Sequence, residues 1–181
     1  KGRGLAFINT LIYNLNFSDL IPNINIRTPR TSVIGTDEFD IFLEKNNLHD
    51  IIHGNYSYQE IQEMFLGGDF SYNLEKKLKS LINTLKAPLA VRSSSLLEDS
   101  TTQPFAGIFD TFLLPNNHED QRVRYKQLSD AIRLVYASIY SDESRSYFEA
   151  INYKFEEEKM AVVIQEVVGR TYDGYHYPHI S

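Results

Sequence analysis

Apolar residues recur along this chain mostly at helical spacing, interrupted by four short segments that read as strands. Leu5, Ile8, Leu11, Ile12 and Leu15 form a stripe that predicts a helix over residues 1–17. Residues 20–36 are broken by Pro and Asn and leave room for a short strand near 31–34. Thr36-Asp37 offers a cap to a helix carrying Phe39, Phe42 and Leu43, after which residues 49–55 read as loop. Ser57 precedes a helix with Ile61, Met64 and Phe65, stopped by Gly67-Gly68. Leu74, Leu78, Leu81, Ile82 and Leu85 share one face of a helix over 72–86, and Pro88 ends it and opens a strand to Val91. A second apolar strand spans 108–114, closed by a Pro115-Asn116-Asn117 turn.

The strongest helical stripe, Val123, Leu128, Ile132, Val135 and Ile139, covers residues 119–140. Ser141 caps a further helix through Phe148 and Ile151, and residues 160–168 read as a buried β-branched strand broken by Gln165-Glu166. The Gly-, Tyr- and His-rich stretch 169–181 reads as loop. Helices interspersed with a few strands place the chain in the α+β class.

Composition narrows the picture. The 181 residues suit one domain, and 42% apolar with 23% charged content is globular. No apolar run approaches the roughly 20 residues needed to cross a bilayer, so no membrane partner is expected. The basic start lacks an apolar signal core, and no cysteine is present for disulfides or thiolate chemistry; both fit a reducing, cytoplasmic setting. A net charge of −6 argues against nucleic acid, whose phosphates demand accumulated Lys and Arg. The 12 tyrosines and 11 phenylalanines are scattered rather than interleaved with basic residues, which favours core roles over base stacking. His176 and His179 form an H-x-x-H pair without a supporting third ligand, so no metal ligand is assigned.

The chemistry concentrates in residues 88–114. An apolar strand delivers one cation, Arg92, into the hydroxyls of Ser93, Ser94 and Ser95, then Glu98-Asp99, then a turn at Phe105-Ala106-Gly107. A forked guanidinium with hydroxyls and free backbone amides suits a polyanionic phosphate. An ion pair of Arg92 with Glu98 or Asp99 is the structural alternative and is compatible with phosphate binding. The serines either donate to phosphate or cap a helix near Leu96. Adjacent carboxylates point different ways, so Glu98 and Asp99 are read as structural rather than chelating. Gly107 permits close approach of the backbone to a ligand.

The string VRSSSLLEDS…FAGIFDTFL resembles the V-R-S-S-A-x-x-E-D…S-F-A-G-x-x-x-T-x-L signature of the phosphoenolpyruvate synthase and pyruvate phosphate dikinase family. The resemblance is strongest over 88–114, extends over 119–181, and is faint over 1–20. It implies residues 1–181 as part of an ATP-grasp nucleotide-binding domain, mainly its first lobe, with a mixed sheet packed with helices. It implies ATP and Mg2+ as cofactors, with Lys1, Arg92, Ser93, Gly107 and Gln165 as nucleotide-binding positions. Lys1 matches the end of the family's glycine-rich nucleotide loop, and Gln165 its V-Q-x-M-V strand on the adenine side; Gln165 has backbone as an alternative partner. No catalytic residue is assigned. The family's domain is longer, its second lobe holds magnesium, and phosphate passes to a histidine on a separate domain and then to a pyruvate-binding domain of the same parent chain. The chain thus reads as an excised ATP-binding portion of a dikinase, inactive alone. Pro104, where Ser is usual, and Ile108-Phe109, where polar residues are common, depart from the pattern. They leave a degenerate regulatory module, or a structural interaction domain, as alternatives.

Overall fold

Side-chain caps fix where most of the helices begin. In the computed structural model, which describes residues 2–15, 23, 26–95, 97, 107–154 and 158–177, Ser57 and Glu60 form a reciprocal capping box at the start of α3 (Tyr58–Leu66). Ser71 caps α4 (Tyr72–Thr84), Asp120 caps α5 (Gln121–Ala137) and Ser141 caps α6 (Asp142–Ala150). The cap of α2 (Thr36–Lys45) is Gly35 rather than Thr36, without a side-chain bond. The α1 helix (Gly2–Asn14) precedes these. Two short 3-10 turns, His49–His53 and Ser138–Tyr140, replace a predicted loop and the end of the predicted helix over 119–140.

Four strands, β1 (Thr31–Ile34), β2 (Leu89–Ser94), β3 (Thr111–Leu114) and β4 (Ala161–Glu166), form one sheet in the order β1-β4-β2-β3. Every ladder among the described residues is antiparallel, which corrects the expected mixed sheet. The chain returns from β2 to β3 as a hairpin, and from β3 to β4 through α5 and α6. The stretch expected to be loop after residue 168 holds a second hairpin, β5 (Arg170–Tyr172) and β6 (Tyr175–Tyr177). Its turn, Asp173-Gly174, has positive φ at both residues, the geometry an Asp-Gly pair favours between strands.

Strand alternation divides the sheet into two unlike faces. Ile34, Leu89, Val91, Val162 and Ile164 all lie on one side and belong to the continuous core, which α2 to α6 cover. Within it Phe42 touches Phe65, Phe70 and Tyr136, with ring centroids 5.5–5.6 Å apart. The other side carries Val33, Ala90, Arg92, Ser94, Thr111, Leu113, Val163 and Gln165 in register. There Val33 and Leu113 are 51% and 72% exposed, so this face is only partly covered. The stripe of α1 is real as a periodicity but makes no core: Phe7, Ile8, Leu11 and Leu15 remain exposed.

Candidate functional site

The open face of the sheet assembles the candidate site. Arg92 sits mid-face on β2, opposite Val163 on one side and Thr111 on the other. It is half-buried, and its Nε is buried without a hydrogen-bond partner among the described residues. A desolvated, unsatisfied donor on a permanent cation is costly unless an acceptor arrives, and it marks where an anion would be welcome. Ala90 and Val163 give Arg92 a small apolar floor.

Two hydrogen bonds frame that floor. The Gly2 N–H donates to Ser94 Oγ at 3.4 Å, drawing the start of α1 across the sheet beside Arg92. Gln165 Nε2 donates to Thr31 Oγ1 at 3.1 Å, across the β1–β4 pair. Between α1 and the β1 edge lies a cavity of about 460 Å³, bordered by Gly2, Leu5 and Asn9 on one side and Thr28, Thr31 and Val33 on the other. Gln165 and Arg92 are diagonal neighbours on adjacent strands, so cavity and cation belong to one surface.

The sequence-derived positions distribute unevenly over this surface. Arg92 and Gln165 share it. Ser93 does not: it is fully buried on the core face, one residue out of phase with Arg92. Ser94, two residues after Arg92, takes the position on the open face. Gly107 is exposed with φ of 84°, and a Cβ there would meet nothing within 4 Å, so the backbone conformation rather than crowding calls for glycine. Lys1, Glu98, Asp99 and residues 103–106 lie outside the described residues, as does His179. His176 contacts Thr171 Oγ1 and the Val167 carbonyl, both at 3.2 Å. No group of three metal-ligating side chains occurs among the described residues.

Sequence reasoning missed the foot of the β2–β3 connection. Phe109, one of the departures noted above, is buried and packs its ring 6.4 Å from that of Phe148, so its apolarity serves the core. Next to it the Tyr58 hydroxyl donates to Asp110 Oδ2 at 3.2 Å, and the Asp110 N–H donates to Ser138 Oγ at 3.3 Å. Residues 52 apart in the chain leave no local signal of such a pair.

Burial holds the Asp110 carboxyl above its ordinary value of 3.8; the Tyr58 hydrogen bond acts against this and the nearby charge of Glu143 acts with it. Burial, with the Asp110 charge second, likewise pushes the Tyr58 phenol up. A carboxyl with a raised folded value holds its proton more readily folded than unfolded. Its ionised form therefore costs stability above the folded value, and the cost disappears below the ordinary one. Asp110→Asn keeps an oxygen for Tyr58 and is expected to melt at higher temperature than the parent at neutral pH. The gap should close as pH falls through the raised value toward 3.8, and thermal melts across that range check it.

Comparison with known proteins places this geometry in context. The model of the pyruvate phosphate dikinase AMP/ATP-binding domain matches residues 12–177. Phosphoenolpyruvate synthase of Aquifex aeolicus is 27% identical over an alignment covering 86% of this chain and 20% of that protein. An uncharacterized phosphotransferase, YvkC of Bacillus subtilis, is 27% identical over 81% of this chain and 16% of its own length. Phosphoenolpyruvate synthase of Aeropyrum pernix is 29% identical over 55% of this chain and 11% of its own. The chain thus spans a fifth or less of the length of these relatives.

Proposed function

The chain belongs to the pyruvate phosphate dikinase AMP/ATP-binding domain family, and from that premise we propose that the open face of its sheet is the nucleotide site of a phosphoenolpyruvate synthase-like dikinase. Arg92 takes the phosphates, with Lys1 and Gly107 as further phosphate contacts. The base and sugar lie in the cavity between α1 and β1, whose wall residue Thr31 accepts a hydrogen bond from Gln165. Ser94 replaces Ser93 as the hydroxyl on the phosphate side. The single observation that carries the reading is the Nε of Arg92, buried without a partner among the described residues, on a face it shares with Ala90, Ser94, Thr111 and Val163.

Phosphoryl transfer needs little covalent help from protein; it needs positioning and neutralised charge. In this reading the chain supplies the first lobe of an ATP-grasp fold, and a second lobe supplies the Mg2+ ligands. Phosphate then moves to a histidine on a separate domain and onward to pyruvate, in a cytoplasmic protein. Magnesium, held by that second lobe, would supply neutralisation of the developing negative charge; this chain's Arg92 contributes the guanidinium, not a metal ligand.

Incubating the intact protein with ATP labelled on its β and γ phosphates tests this. Acid-labile, alkali-stable label on the protein, the signature of phosphohistidine, is the expected result. Nucleotide binding without any such label would instead support the regulatory reading, which Pro104, standing where the family usually has Ser, favours.

A further inference from the structure

Thr111 is the cross-strand neighbour of Arg92, and it opens a ladder of only four pairs in an edge strand. Edge strands fray from their ends, and fraying here would release one of the two strands that hold the backbone of Arg92. The residue before Thr111 is therefore the point where the site is secured or lost. Asp110 is tethered there from two sides. Tyr58 Oη on α3 donates to its carboxylate at 3.2 Å, and its own N–H donates to Ser138 Oγ at 3.3 Å. Ser138 is itself fixed: its hydroxyl donates to the Val135 carbonyl at 2.7 Å, and its carbonyl accepts from Ser144 Oγ at 2.8 Å. Phe109 adds an apolar anchor one residue earlier. Glu143 is the other titratable group facing Asp110.

We propose that Tyr58 and Asp110 are positioning residues for nucleotide binding: their hydrogen bond pins the foot of the β2–β3 connection, and so the register of Thr111 against Arg92. Neither side chain touches nucleotide in this account; both act through the strand pair. The proposal rests on the open face being the nucleotide site. It also distinguishes a geometric role from a charge role, because the acceptor oxygen matters and the carboxylate charge does not.

The test is calorimetric titration of the intact protein with Mg-ATP, in the parent and in Tyr58→Phe, Asp110→Ala, Asp110→Asn and Arg92→Ala. Tyr58→Phe and Asp110→Ala are expected to raise Kd about three- to tenfold, the worth of one hydrogen bond. Asp110→Asn keeps the acceptor and should stay within about twofold of the parent. Unchanged affinity in Tyr58→Phe and Asp110→Ala, with Arg92→Ala losing binding, overturns the proposal and leaves the nucleotide site standing. Equal loss in Asp110→Asn also overturns it, since a charge effect would then explain the data. A parent that binds no nucleotide removes the site reading and this proposal together.

Discussion

Arg92→Ala is expected to weaken Mg-ATP binding by the intact protein about a hundredfold, while leaving the fold at least as stable as before. Both halves follow from the same observation. The guanidinium is drawn partly out of water on a sheet face, and its Nε finds no hydrogen-bond partner there among the described residues. Hydrogen bonds to charged groups contribute roughly 1.5–3 kcal/mol each, and a forked contact to phosphate oxygens supplies about 3 kcal/mol, or about two orders of magnitude in Kd. Without nucleotide the same donor is a burden, so its removal should not lower the melting temperature. Arg92→Lys keeps the charge but loses the fork, and should fall between parent and Ala. Equal losses of stability and affinity in Arg92→Ala would show a structural residue instead.

The largest expected effect on stability lies elsewhere, at Arg124. This side chain on α5 is 5% exposed and sits beyond the C-terminal end of α4. Its Nη1 donates to the Ile82 carbonyl at 3.0 Å, the Leu85 carbonyl at 3.4 Å and Asn116 Oδ1 at 3.4 Å. Asn116, in turn, donates to the carbonyls of Leu85 and Ala87 at 3.0 and 2.9 Å. The last carbonyls of a helix have no intrahelical partner and carry the negative end of its dipole, so a buried cation is well matched to them. Arg124→Met preserves much of the volume but removes the donor to the Ile82 carbonyl and to Asn116 Oδ1, leaving the Leu85 carbonyl to Asn116 alone. It should destabilise the chain by about 3 kcal/mol, lowering the melting temperature by about 10 °C, with nucleotide contacts untouched. A melt unchanged within error would show that the carbonyls are satisfied without Arg124.

The elements of the core were readable because their apolar residues obey one period over many residues. Leu128, Ile132 and Val135 on α5, and Leu74, Leu78 and Ile82 on α4, all end up buried. Short-range chemistry was readable too: Ser57 and Ser141 cap the helices they precede. What failed depended on phase or on distance. Ser93 and Ser94 look alike in a run of hydroxyls, and only the pleat decides that Ser94 shares the face of Arg92. The α1 stripe carries the same signal as a core helix, yet its burial depends on what else lies on that face. Tyr58 with Asp110, and Arg124 with Ile82, join segments far apart in the chain, where no local pattern announces a partner. The Asp173-Gly174 hairpin is the exception: its turn signal is local, in a stretch whose Gly-, Tyr- and His-rich composition reads as loop.

Function here turns on whether the open sheet face around Arg92 binds the nucleotide. Calorimetric titration of Mg-ATP into the intact protein and into Arg92→Ala tests it most directly. Saturable binding in the parent is expected to weaken about a hundredfold in the variant, with the two proteins melting at similar temperatures. Equal affinity in parent and variant would contradict it and move the nucleotide off this face.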